Sequence, residues 1–242
     1  MLKLAKTYDK CISGKPTLTV VFIHGIADDS TRWIKPIEKL HEDHELDNIR
    51  LVTFDLLGTG KSVTDDENLK YDFKDQLEAL DNSLEELKID TPLVLVGHSM
   101  GTQISARYAS KHKGKIKELI LISPPVYTLK DIDSAKFGPS MDGFKALMVV
   151  KNPIYKNQKA FNNELRLIVS DRKNYETFAG LDIPTTIIYG AADKFIAGYN
   201  IPGLVKVNSN ITALKTPGAH GVGHDKCDKL ATTLKRIVNE TI

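Results

Sequence analysis

Short apolar runs, most of them rich in β-branched residues, recur along the chain at Thr17–Ile23 (TLTVVFI), Ile49–Phe54 (IRLVTF), Leu93–Val96 (LVLV), Ile116–Ile122 (IKELILI) and Thr185–Tyr189 (TTIIY). A weaker run lies at Ile211–Lys215. Each is nearly continuous in apolar character and closes on Gly, Asp, Ser or Asn, the pattern of a strand covered on both faces in a parallel sheet. Segments of helical spacing lie between them. Tyr71–Leu87 places Phe73, Leu77, Leu80, Leu84 and Leu87 three or four residues apart, and Cys227–Val238 does the same with Leu230, Leu234, Ile237 and Val238. Strand alternating with helix predicts a doubly wound, mostly parallel α/β sheet, whose binding crevice lies beyond the carboxyl ends of the strands.

One stretch breaks the alternation. From Pro124 to about Asp182 no core strand is legible, while Pro, Asn, Lys and aromatic residues are frequent (Tyr127, Phe137, Phe144, Tyr155, Phe161, Tyr175, Phe178). A structureless loop of that length is out of place in a compact domain, so residues 124–182 are expected to form a mostly helical cap inserted within one domain spanning 1–242. With 242 residues the chain can bury a sizeable core without disulfides or metals.

Charge narrows the partners. Lys and Arg number 33 against 31 Asp and Glu, a net charge of +2, without the basic excess that nucleic acid or anionic membrane surfaces select. The basic run Lys111, Lys113, Lys115 and Lys117 reads as a solvated helix end. Cys11 and Cys227 show no metal-ligand or disulfide spacing and read as inert fillers. No secretory leader or run of about 18 apolar residues is legible. A cytoplasmic, small-molecule protein with neither nucleic-acid nor membrane partners is the expectation.

The sharpest chemical signal is Gly97-His98-Ser99-Met100-Gly101, directly after the run Leu93–Val96 and directly before the helical pattern Thr102–Ala109. Small residues on both sides of the serine let a chain turn sharply, so that the hydroxyl projects above the sheet at a helix start. A serine hydroxyl is a weak nucleophile until a base takes its proton, and the base needs an oriented partner. Asp193 follows Gly190 at the end of the late strand and fits the acid. The base is His220 or His224, in Thr216-Pro-Gly-Ala-His-Gly-Val-Gly-His224; His220 is favoured, lying five residues beyond the strand, with His224 the alternative. His41, His44 and His112 lie among charges and read as solvated. Two backbone N–H groups should face the developing oxyanion, from Met100 and from Ile26 in His24-Gly25-Ile26, with His24 bracing that loop.

These residues resemble the α/β-hydrolase fold superfamily, and within it the carboxylesterase-like members with a helical cap. The likeness rests on His24-Gly25 with Trp33 downstream, on Asp55-Leu-Leu-Gly-Thr-Gly-Lys-Ser62, on Gly97–Gly101, on Gly190-Ala-Ala-Asp193 and on Gly218-Ala-His220. It extends over essentially the whole chain. Leu57 stands where the family usually has arginine in its D-x-R-G-x-G-x-S turn, a departure expected to bear on surface packing. The resemblance favours Ala219-His220 as the base, while Gly223-His224 matches the family's GH dipeptide. It implies a serine esterase needing no metal or organic cofactor; thioester, amide or carbon–carbon cleavage, or a non-catalytic ligand receptor, would use the same scaffold. Gly60-Lys61-Ser62 imitates the end of a phosphate-binding loop, but the position of its first glycine holds Asp55 and an acidic segment follows, which argues against nucleotide binding.

Overall fold

In the computed structural model, residues 1–64, 66–134, 158–222 and 227–240 are described. Seven strands form one sheet: β1 (Ala5–Cys11), β2 (Leu18–Ile23), β3 (Ile49–Asp55), β4 (Leu93–His98), β5 (Ile116–Ile122), β6 (Thr185–Gly190) and β7 (Ile211–Thr216). Their spatial order is β1-β3-β2-β4-β5-β6-β7, and every pairing is parallel except β1 with β3. The described helices are α1 (Ile34–His41), α2 (Phe73–Glu86), α3 (Met100–Lys111), α4 (Leu129–Asp133), α5 (Gln158–Ser170), α6 (Asn174–Ala179), α7 (Ile201–Val207) and α8 (Asp228–Asn239).

The unbroken apolar runs follow from the two-sided core. Side chains alternate across a strand, so Leu18, Val20 and Phe22 of β2 pack toward α1 and α8 with Trp33, Leu40, Leu234 and Ile237. Val21 and Ile23 face the opposite layer, with Leu80 of α2 and Ile104 of α3. β4 and β5 split the same way, Val94, Val96, Ile120 and Ile122 to one side and Leu95, Leu119 and Leu121 to the other.

Two elements and one residue depart from the sequence reading. β1 was not expected, because its AKTYDKC is an edge strand with no fully buried residue and therefore lacks an apolar run. α1 carries Pro36 in its first turn, where a backbone N–H has no helical partner to lose. Leu57 is buried in the main core rather than part of the surface; its N–H donates to Gln76 Oε1 at 3.0 Å and its carbonyl accepts from Gln76 Nε2 at 3.1 Å. Between β5 and β6 the described residues form α4, α5 and α6, while 135–157 of the expected 124–182 cap lie outside the described residues.

The Asp55–Ser62 turn explains its likeness to a phosphate-binding loop. The carboxylate of Asp55 accepts N–H donors from Ser30 and Lys61, each at 2.8 Å. These N–H groups already have an anionic acceptor in the protein itself, which argues against a phosphate there.

Candidate active site

At the carboxyl end of β4 the chain turns through Ser99, whose φ of 51° and ψ of −120° lie outside the ordinary regions for a residue with a side chain. Close packing fixes this elbow. A Cβ on Gly101 would run into the carbonyls of Ile23 and His24, and one on Gly97 would sit 2.6 Å from the Gly101 carbonyl. Gly25 is pressed as tightly, since its Cβ would lie 2.9 Å from Ser99 Cβ. Ser99 N–H donates to Ile122 O at 2.9 Å, and Thr102 Oγ1 donates to Ser99 O at 2.6 Å, so neighbouring elements hold the strained conformation.

The loops after β6 and β7 are stitched together. Ala191 N–H donates to Thr216 O at 2.8 Å and Ala192 N–H to Gly218 O at 2.9 Å, an approach that only glycine at 190 permits. This brings Asp193 Oδ2 to 2.9 Å from His220 Nδ1. The carboxylate also accepts Phe195 N–H at 2.9 Å and is shielded from solvent, its side chain only 1% exposed. Burial pushes its pKa up, but donation by His220, Phe195 N–H and the Ser123 hydroxyl outweighs burial and leaves it below the ordinary value. His220 packs between the rings of His98 and Phe195, with centroids 4.8 and 5.3 Å away.

Ser99 and His220 line one cavity of about 200 Å³, with Ile26, Arg32, His98 and Phe195 among its other walls. A larger cavity of about 510 Å³ lies beside Tyr8, His41 and Ile34 and is lined by neither Ser99 nor His220. The smaller cavity is the one that brings Ser99 together with His220 and, through it, Asp193. Met100 is the first residue of α3, where a helix leaves backbone N–H groups without helical acceptors, and Ile26 faces the same cavity. His224 lies outside the described residues.

Two further histidines are fully buried here. His24 Nε2 accepts from Leu56 N–H at 2.9 Å, which puts the proton on Nδ1, placed 2.8 Å from Gly25 O. These two bonds link the loops after β2 and β3. Burial lowers its pKa, and burial together with Arg32 and His220 lowers that of His98 well below the usual imidazole value. His112 is less solvated than expected: its ring stacks on Tyr108 at 4.1 Å. His41 likewise meets Tyr8 Oη at 2.7 Å.

Three polar residues of the site escaped the sequence reading. Ser123, at φ 50° directly after β5, sends its hydroxyl toward His220 O at 3.2 Å and Asp193. Its position at a strand's carboxyl end was the available signal. Arg32 and Asp28 form an ion pair at 2.6 Å on the cavity wall, and Arg32 Nη2 also lies 3.0 Å from His98 Nε2. Only the adjacent Trp33 marked that turn in the sequence.

The profile described as the alpha/beta hydrolase fold matches residues 19–147, just over half of the chain. The chain belongs to that family. A probable lysophospholipase of Arabidopsis thaliana, BODYGUARD 1, is 38% identical over 111 residues, 46% of this chain and 23% of that protein. A (lyso)-N-acylphosphatidylethanolamine lipase of Mus musculus is 28% identical over 148 residues, 58% of this chain and 41% of that protein. The chain thus spans less than half the length of both curated relatives. Among solved structures, an esterase from Exiguobacterium antarcticum superposes with a TM-score of 0.74 at 18% identity, covering 99% of this chain and all of that one, a likeness of fold.

Proposed function

We propose that the chain is a serine hydrolase that cleaves a small carboxylic ester through an acyl-enzyme. The observation that carries this reading is the hydrogen-bonded Asp193–His220 pair sharing a cavity with Ser99 on its strained turn. Relatives named as lipase and probable lysophospholipase support an ester as the bond attacked.

In this reading Asp193 holds the Nδ1–H of His220, which leaves Nε2 to take the Ser99 proton as Oγ attacks the acyl carbonyl. The backbone N–H groups of Ile26 and Met100 receive the charge that develops on the carbonyl oxygen. His220 returns the proton to the leaving alcohol, then activates water to release the acid and restore Ser99. The side chains supply every proton transfer in this route, which calls on no metal or cofactor. Residues 124–182 act as the lid; Leu165 and Ile168 of α5 already face the cavity. No helix among the described residues is long and apolar enough to cross a membrane, and we propose a cytoplasmic setting in which Cys11 and Cys227 stay reduced.

A fluorophosphonate probe tests the reading. Labelling of the wild type that disappears in Ser99→Ala supports it; no labelling of folded protein supports a non-catalytic receptor instead. Comparison of His220→Ala with His224→Ala on a short-chain aryl ester tests the base: collapse in the first and near-normal turnover in the second is expected, and the reverse transfers the role to His224.

A further inference from the structure

His98 occupies a position whose hydrogen bonds cannot all be made at once. Its Nε2 lies 3.0 Å from Arg32 Nη2 and 3.0 Å from the His220 carbonyl. A guanidinium only donates and a carbonyl only accepts, so one nitrogen of a neutral imidazole serves one or the other. If Nε2 accepts from Arg32, the proton sits on Nδ1, which is buried without a partner. If Nε2 donates to His220 O, Arg32 Nη2 faces an N–H and loses its acceptor. Protonating the ring does not help, because it would set a second cation against the guanidinium.

Removing Arg32 Nη2 to another acceptor relieves the conflict. His98 then donates from Nε2 to the backbone of His220, and its remaining orphan is a lone pair rather than a buried N–H. Nη1 stays anchored on Asp28 at 2.6 Å, so one edge of the guanidinium can exchange partners while the other holds it in place. Arg32 is also the only Lys or Arg among the described residues lining this cavity, whose neighbouring wall is Leu165, Ile168 and Phe195. A carboxylate makes a charge-assisted hydrogen bond about twice as strong as a neutral acceptor does.

Resting on the hydrolase reading above, we propose that Arg32 is a specificity-determining residue that exchanges His98 Nε2 for a carboxylate borne on the substrate's acyl chain. The cavity of about 200 Å³ corresponds to roughly seven water volumes, which suits the half-ester of a short dicarboxylic acid. His98 answers by moving its proton from Nδ1 to Nε2, tying the loop that carries the base.

The test compares the phenyl half-ester of glutaric acid with the neutral isostere phenyl 5-methylhexanoate in the wild type and in Arg32→Met, which keeps an apolar stem. The ratio of kcat/KM for the two esters should fall by about 10- to 100-fold in the variant, the range carried by hydrogen bonds to charged groups, with most of the loss in KM. An unchanged ratio overturns the proposal. Titration with glutarate, followed by nitrogen-15 NMR of His98, gives a readout independent of turnover. A proton shift from Nδ1 to Nε2 in the wild type but not in Arg32→Met is expected, and an indifferent His98 overturns the proposal. Ser99→Ala on the neutral ester judges the hydrolase reading separately: hydrolysis that survives it sinks that reading, while glutarate still decides the role of Arg32.

Discussion

His24 and His98 stand one residue past β2 and at the last residue of β4, both fully buried and both held neutral by that burial. Their surroundings differ in one respect. Both ring nitrogens of His24 have complementary partners, Leu56 N–H and Gly25 O, whereas His98 has an idle Nδ1 and an Nε2 claimed from two sides. Equal burial therefore supports different roles: a saturated histidine locks two loops, and an oversubscribed one can respond to what enters the cavity beside it.

The largest expected effect falls on the elbow next to His98. Ser99→Ala should lower ester hydrolysis by about 10⁴-fold or more with little change in unfolding midpoint; comparable turnover in the variant would leave His98 beside an inert turn. Next in size is the contrast itself. His24→Leu strands Leu56 N–H and Gly25 O, each costing about 1–3 kcal/mol, so urea denaturation should register a loss of about 2–6 kcal/mol. His98→Leu leaves Arg32 on Asp28 and His220 O within reach of Ser123, and should cost about 1 kcal/mol or less. Equal losses would erase the distinction.

Acid should reveal what the two rings share. Both have folded-state pKa values below the ordinary imidazole value. As pH falls below about 6.5 the unfolded chain takes up protons that the native rings refuse. Their contribution is present above that pH and is lost as pH drops toward the folded-state values, at up to about 1.4 kcal/mol per pH unit for each ring. Denaturation at pH 7.5 and 5.5 should show the fall, with a shallower slope in His98→Leu. The smallest effect concerns Ser123: removing its hydroxyl as Ser123→Ala should cost about 0.5 kcal/mol, the low end for a hydrogen bond, read as a roughly two- to threefold lower kcat, and no change would make that hydroxyl a bystander to Asp193.

What the sequence disclosed follows from what the physics makes local. The two-sided strands announced themselves because burial on both faces demands consecutive apolar residues, and Gly97, Ser99 and Gly101 stood out because a tight strand-to-helix turn needs them at fixed spacing. Asp193 and His220 were placed by their positions after strands, although the hydrogen bond between them depends on backbone stitching through Gly190 and Gly218 that no linear pattern encodes. Arg32 stayed hidden because its partner His98 is 66 residues away and a surface-type residue gives no sign of facing a cavity. Leu57 misled because a turn position suggests exposure, whereas the amide of Gln76 clamps it into the core.

At one edge of the sheet lies β1. The sheet's border on this side is a strand whose register breaks between Lys6 and Tyr8, whose Lys6 pairs with Asp9 at 2.7 Å, and whose Asp9 is tied to Arg50 of β3 at 2.7 Å. An open border with free backbone groups would template the addition of strands from other molecules. Charge and irregularity make this border a poor template, so colloidal stability at high concentration depends on a segment remote from the cavity. Replacing Lys6 and Asp9 with valine would invite fibrillar association while leaving the Ser99 elbow at the far side of β2 intact.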